Sequence, residues 1–216
     1  MKNLSVQFFS LLMLISLVSC AQKVIKTDAK QPKKDLSKYS KATFASGCFW
    51  CMEGVYESVK GVEEVISGYS GGKEANPTYE QVGDHQTGHA ESVEVYYDPS
   101  VVSYATLLKV YFASEDPTQV NGQGPDNGTP YRSIIFYRTP EEKDMAQKYK
   151  SEIQKNFNNP IAAEIVAFQK FWPAEDYHQD YIQHNPDVPY VQGESIPRIK
   201  RFQKQFPELI KPDHKF

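Results

Sequence analysis

The stretch Phe44–Gly61, FASGCFWCMEGVYESVKG, decides how the fold is read. A short apolar run, Ala42 to Ser46, reads as a strand that stops at Gly47-Cys48. Residues 49–60 read as one helix, with Gly61 as its C-terminal stop. A cysteine at the seam between strand and helix sits among unpaired N–H groups at the positive end of the helix dipole. Both favour thiolate over thiol, so Cys48 is a candidate nucleophile. A second cysteine, Cys51, stands three residues on.

Working outward, Val62 to Tyr69 reads as a strand, and Ser70-Gly71-Gly72 with Asn76-Pro77 as a loop. Ala90 to Tyr97 alternates, with Val93, Val95 and Tyr97 on one face, the pattern of a strand. Ser103 caps a helix to Ala113 that buries Leu107, Leu108 and Tyr111. Residues 115–131 form a long Gly/Asn/Asp/Pro loop, a length that in a compact domain marks function or disorder. Arg132 to Arg138 is a strand, and Thr139-Pro140-Glu141-Glu142 opens a helix to Asn156. Ala163 to Gln169 is a strand, residues 174–184 are helical, and Ser195 to Phe206 is a basic terminal helix. This order predicts an α+β two-layer sandwich: a mixed sheet with a ferredoxin-like core and helices packed on it, largely on one face.

The chain of 216 residues suits one globular domain with extras. Residues 1–19 carry Lys2 and an apolar run from Phe8 to Val18, the layout of a secretory signal. The run ends Leu17-Val18-Ser19-Cys20-Ala21, which resembles a bacterial lipoprotein signal cut before a lipidated Cys20. The expected organisation is a signal peptide at 1–19, a lipidated, Lys-rich flexible tether at 20–40, and a folded domain at 41–216. The expected location is the bacterial cell envelope, anchored to a membrane through Cys20 on the periplasmic or outer-surface side. Past Cys20 the tether is basic, while the folded part is acidic, which argues against a nucleic-acid partner. Three cysteines make no disulfide scaffold; a close pair plus an isolated one fits redox chemistry plus an anchor.

Taken alone, Cys48-x-x-Cys51 is open between redox chemistry and zinc. His85 and His89 offer the two further ligands of a Cys₂His₂ site. The order Cys48, His178, Asn185 mimics a papain-like protease, without that family's local signature. Glu91 starts a strand beside an apolar face, where partial desolvation raises a carboxyl pKa and suits a general acid. Tyr79, Asp126 and Tyr131 lie on loops; two phenols with a carboxylic acid make a water-poor site for an oxygen acceptor. Phe49 and Trp50 supply an apolar pocket suited to sulfur. The cluster from Phe171 to Gln179 is too aromatic to be all core, so part of it lines the site.

Six motifs occur together: Gly47-Cys48-Phe49-Trp50, Pro77-Thr78-Tyr79, Thr87-Gly88-His89-Ala90-Glu91, Asp116-Pro117-Thr118-Gln119, Gly128-Thr129-Pro130-Tyr131-Arg132-Ser133 and Ala174-Glu175-Asp176-Tyr177-His178-Gln179. In this order, over about residues 42–184, the chain resembles the peptide methionine sulfoxide reductase family, type A. The resemblance implies that Cys48 attacks the sulfoxide sulfur and that Glu91 protonates the oxygen, helped by Tyr79 and Tyr131. It implies that Asp126 supports the site and that Phe49 and Trp50 hold the S-methyl group. Methionine then leaves Cys48 as a sulfenic acid, which a resolving thiol attacks.

Many relatives have Gly after the Trp and keep resolving cysteines near the C-terminus. This chain has Cys51 and no cysteine after it, and Pro130 stands where Gln is common. Read through the resemblance, Cys51 takes the resolving role, and a thioredoxin-like protein reduces the resulting Cys48–Cys51 disulfide. The implied substrate is the S epimer of methionine sulfoxide, free or in oxidised proteins, with no metal or other cofactor and a monomeric enzyme. The rivals are a general thiol-disulfide or peroxide reductase and a non-catalytic zinc-binding lipoprotein.

Overall fold

A computed structural model describes residues 34–214. The expected signal peptide, Cys20 and most of the tether lie outside the described residues.

Strand β1 (Ser40–Ala45) runs through Ser46-Gly47-Cys48 into helix α1 (Phe49–Glu57). Strands β2 (Val62–Ser70) and β3 (Ala90–Tyr97) pair antiparallel, and the excursion between them carries α2 (Tyr79–Gly83). Helix α3 (Tyr104–Ala113) follows, its start capped where the Ser103 hydroxyl accepts the Thr106 N–H. A short ribbon of β4 (Gly122–Gln123) and β5 (Asp126–Asn127) and a 3₁₀ turn at Thr129–Tyr131 lead to β6 (Ile134–Tyr137). Then come α4 (Pro140–Gln154), β7 (Glu164–Ala167), β8 (Phe171–Pro173), α5 (Tyr181–His184) and α6 (Ile196–Gln205).

The main sheet has the order β7-β6-β1-β3-β2-β8, antiparallel except for the parallel pair β6–β7. Its four inner strands with α1 and α3 make a βαββαβ unit in which β1 lies between β6 and β3, with β2 beyond β3. That is the split βαβ arrangement of a ferredoxin-like core, as the sequence pattern predicts. Register pairs Phe44 with Val93 and Ala42 with Val95, so these side chains share one face. Phe44 is fully buried and stacks on Tyr56 of α1 at 5.2 Å, with Tyr111 of α3 at 5.5 Å. Truncating such a side chain to Ala costs about 3–5 kcal/mol. Ala146 of α4 belongs to the same core cluster, so α1, α3 and α4 all cover this face. The opposite face buries a smaller cluster of Ala45, Ala90, Ile134 and Phe136.

The period of two also puts Glu91 on the helix-covered face, in phase with Val93 and Val95 and opposite Tyr69 in the register. A carboxyl is thereby carried under α1.

Two expectations need correction, and one strand was not foreseen. The helix expected over residues 174–184 is instead a 3₁₀ turn, Asp176–His178, and the short α5. Asp180, in left-handed backbone at φ 53, breaks it. Just before it, Phe171–Pro173 forms an edge strand on β2. Gly68 permits this approach, because a Cβ there would lie 2.3 Å from the Trp172 carbonyl oxygen. Finally, α1 stops at Glu57 rather than residue 60, where the Ser58 hydroxyl donates to the Val55 carbonyl at 2.7 Å.

Candidate active site

Cys48 is the residue before the first turn of α1, with extended backbone and no capping hydrogen bond from its side chain. Gly47 makes the corner at φ 66, and a Cβ there would sit 2.5 Å from Gln123 Cβ. The first free N–H of the helix is taken by a distant carboxyl instead of a local cap. The Phe49 N–H donates to Glu91 Oε2 at 3.0 Å, and Asp126 faces the same helix start while accepting the Tyr190 hydroxyl at 2.6 Å.

These carboxyls and burial set the charge of the site. Burial raises Glu91 to about 8, against the Phe49 N–H, with Asp126 and Cys51 adding to the rise. Glu91 therefore carries its proton at neutral pH. Burial also raises the Cys48 thiol well above its usual range, and Cys51, Glu91 and Asp126 push it further. This corrects the expectation that the helix terminus makes Cys48 the thiolate: burial, with Cys51 beside it, holds the proton on Cys48. The lowered thiol is Cys51, at about 6, through the hydrogen bond from Cys48 and then Arg198, Ser195 and Tyr190, against the effect of burial. Both cysteines are reduced and buried.

Phe49 and Trp50 stand side by side at 6.0 Å between ring centroids. Tyr79 stacks on Phe49 at 6.3 Å, and Trp50 stacks on Tyr181 at 3.7 Å. His178 closes the wall, 4.9 Å from Phe49 and 4.4 Å from Tyr79, and accepts the Trp50 indole N–H at 3.1 Å. The Tyr79 N–H and the Tyr69 hydroxyl both donate to Glu175, at 3.0 and 2.8 Å. Burial raises Tyr79 and Tyr131, and the charges of Glu91 and Cys48 act on both phenols. The 3₁₀ turn that carries Tyr131 is tied to the nucleophile: the Gly47 N–H donates to the Tyr131 carbonyl at 3.1 Å. Thus Cys48, Cys51, Glu91, Tyr79, Tyr131, Asp126, Phe49 and Trp50 come together from five segments.

Sequence reasoning missed the other side of the cysteine pair. The Cys51 sulfur lies 3.2 Å from Ser195 Oγ and 4.0 Å from the Tyr190 hydroxyl, which donates to Asp126 at 2.6 Å. Arg198, buried, donates to the carbonyls of Ser114 and Ser46 at 2.6 and 3.1 Å. A cleft of about 290 Å³ reaches Cys51 here. Tyr190, Ser195 and Arg198 form no motif with either cysteine; only the packing of the C-terminal segment on α1 joins them. The one local signal is the π turn Val191–Ser195 before α6, a feature common at functional sites.

The rival readings lose their geometry. His89 uses both ring nitrogens on backbone, accepting the Gly72 N–H at 3.2 Å and bonding the Glu74 carbonyl at 2.8 Å. His85 bonds Thr129. Among the described residues no cluster of His, Cys, Asp and Glu is arranged to hold a metal ion. His178 serves Trp50 rather than Cys48, and Asn185 donates to the Tyr181 carbonyl, so no protease triad forms.

Two buried thiols in contact, a carboxyl that keeps its proton at neutral pH and an aromatic wall define a thiol-dependent oxidoreductase. The profile of the peptide methionine sulfoxide reductase family matches residues 40–210. Peptide methionine sulfoxide reductase MsrA 2 of Synechocystis is 49% identical over 174 residues, covering 79% of this chain and 81% of that one. MsrA of Haloquadratum walsbyi is 44% identical over 169 residues, covering 78% and 97%. The crystal structure of reduced Mxr1 from Saccharomyces cerevisiae superposes with a TM-score of 0.67 at 35% identity, over 73% of this chain and 92% of that one. The chain belongs to the peptide methionine sulfoxide reductase family, and its chemistry is the reduction of methionine sulfoxide.

Proposed function

We propose that Cys48 attacks the sulfur of a methionine sulfoxide while Glu91 gives its proton to the sulfoxide oxygen. Burial of Glu91 beneath the start of α1 is the observation that carries this reading, since it keeps an acid protonated at neutral pH beside the nucleophile. Tyr79 and Tyr131 donate hydrogen bonds to the same oxygen as it gains charge. Phe49 and Trp50 enclose the S-methyl group, and sulfur packs well against rings. Asp126 holds the Tyr190 hydroxyl beside the cysteine pair. Methionine leaves, the Cys48 proton restores Glu91, and Cys48 becomes a sulfenic acid.

A tetrahedral sulfoxide sulfur presents three distinct substituents to this site: an oxygen to Glu91, a methyl to the rings, a chain to the opening. Three fixed points accept one epimer and reject its mirror image. The family resemblance supports the S epimer as the one accepted, free or in oxidised proteins.

Cys51 resolves the sulfenic acid, and a thioredoxin-like protein reduces the Cys48–Cys51 disulfide, with no prosthetic group needed. The extended backbone of Cys48 favours this bond, because the first cysteine stands outside the helical turn that carries the second. The enzyme acts as a monomer, held by a lipid on Cys20 at a membrane of the bacterial cell envelope, where it repairs oxidised envelope proteins. Turnover of separated S and R sulfoxides with dithiothreitol tests the reading. Methionine from the S epimer alone supports it; equal turnover of both, or of neither, overturns it.

A further inference from the structure

We propose that Arg198 and Ser195 form a cradle for the Cys51 sulfur and that Arg198 is the positioning residue that keeps the resolving nucleophile ionised. The proposal rests on the reading of Cys51 as the resolving thiol.

The hydrogen bond from Cys48 is the largest influence lowering Cys51 in the reduced enzyme. Once Cys48 is a sulfenic acid, that S–H donor has been spent. What remains around Cys51 comes from one C-terminal segment. Tyr190 helps least, because its hydroxyl lies 4.0 Å from the sulfur and already donates to Asp126 at 2.6 Å. In the reduced protein the Cys51 thiol donates to Ser195 Oγ at 3.2 Å, and once that thiol is ionised the Ser195 hydroxyl turns to donate to the sulfur. Arg198 supplies the positive charge and is held rigidly. Its donors go to the carbonyls of Ser114 and Ser46, to Ser46 Oγ at 3.2 Å and to the sulfur of Met52 at 3.2 Å, rather than to a carboxylate. Arg198 lines the same cleft as Cys51, so the fixed cation faces the space beside the thiol it serves.

The other charged groups facing this space are Asp126 from β5, Glu115 and Asp116 after α3, and Glu194 and Arg201 of the C-terminal segment. Glu115 is the main competitor for Arg198. Burial raises it to about 7, and Ser46 and Ser133 donate to it. Below that value Glu115 is neutral and leaves the field of Arg198 to Cys51.

The step served is balanced. The Cys51 thiolate attacks the Cys48 sulfur, the S–O bond breaks, and the hydroxide takes the Glu91 proton and leaves as water. The Cys51 sulfur is oxidised and the Cys48 sulfenic sulfur reduced, and one disulfide forms. The C-terminal segment thus supplies an anion cradle to a thiol that sits on α1.

A single-turnover experiment on the full-length protein tests this. Reduced wild type, Arg198→Lys, Arg198→Met and Ser195→Ala receive one equivalent of a methionine-S-sulfoxide peptide. Released methionine and the trappable Cys48 sulfenic acid are followed from about pH 5 to about pH 9. All four release one equivalent of methionine. In wild type, sulfenic-acid loss rises with pH along a limb set by Cys51 and falls again through about 8 as Glu91 loses its proton; the midpoint read is that of the rising limb. In Arg198→Met the midpoint moves up by about one pH unit or more, so that loss slows about tenfold below it. Arg198→Lys restores most of the midpoint, and Ser195→Ala moves it upward by less than Arg198→Met. An unmoved midpoint in Arg198→Met overturns the proposal, even if the rate falls equally at every pH, as a packing defect alone produces. If Arg198→Met melts at assay temperature, Ser195→Ala decides alone, and its unmoved midpoint overturns the proposal. Failure of wild type to release methionine defeats the reductase reading instead, which separates the two.

Discussion

The Phe49 N–H and the Glu91 carboxyl meet at 3.0 Å, joining the first residue of α1 to the second residue of β3. The contact does two jobs. It satisfies an N–H that no local cap reaches, and it fixes the acid beside the nucleophile that precedes the helix. A carboxyl in the general-acid role at neutral pH must keep its proton, and burial raises Glu91 to about 8.

Glu91→Gln retains the acceptor for Phe49 but has no proton of the right acidity to give. We expect kcat to fall about 100-fold, with the Michaelis constant little changed. The active form of Glu91 is protonated, so wild-type turnover falls as pH rises through about 8. The variant lacks that limb. Steady-state rates across pH check both points, and an unchanged rate removes Glu91 as the acid.

The two phenols share one task. Tyr79→Phe and Tyr131→Phe each leave the aromatic wall intact and remove one donor to the sulfoxide oxygen. Each should lower kcat about tenfold or more. The double variant should lose more than either. Pre-steady-state methionine release measures this without interference from recycling.

Much of this was legible in the sequence, for definite reasons. Alternation in Ala90–Tyr97 predicts the central strand, and the same phase already puts Glu91 with Val93 on the buried face. The caps at Ser103 and Thr139 mark where α3 and α4 begin. The resemblance named the polar groups on the loop from 115 to 131, and the structure delivers Asp126 and Tyr131 through a small ribbon and a 3₁₀ turn. The edge strand Phe171–Pro173 could not be read, because three residues ending in proline carry no period. The ionisation of the cysteine pair was also hidden. Cys48 reads as a thiolate from its helix alone, and only its burial in the folded molecule, with Cys51 beside it, reverses that.

Gly47 turns β1 toward α1 at φ 66, where a side chain is strained and would press on Gln123. Gly47→Ala should cost about 1–2 kcal/mol from backbone strain alone, more with the clash. Thermal melts should show the loss, and activity should fall further than stability because Cys48 is displaced.

Glu53 lies buried in α1, raised to about 9 by burial, with Glu57 adding to the rise. Its folded value exceeds its usual one, so the folded state holds more protons and stability falls as pH climbs toward about 9. Glu53→Gln keeps the shape of the side chain but has no proton to lose. At about pH 8 it should melt on the order of a few degrees above wild type, an advantage that disappears at about pH 4. Equal melting at both pH values contradicts the buried, protonated state of Glu53.

The central claim is that Cys48 takes the oxygen and Cys51 removes it. Intact-mass and peptide mapping after one turnover of the S sulfoxide, without reductant, tests it most directly. Wild type should lose about 2 Da and yield a peptide with Cys48 joined to Cys51, whereas Cys51→Ser should release one equivalent of methionine and gain about 16 Da at Cys48. A Cys51→Ser enzyme that turns over normally with thioredoxin, or a wild type whose added oxygen stays on Cys48, contradicts the account.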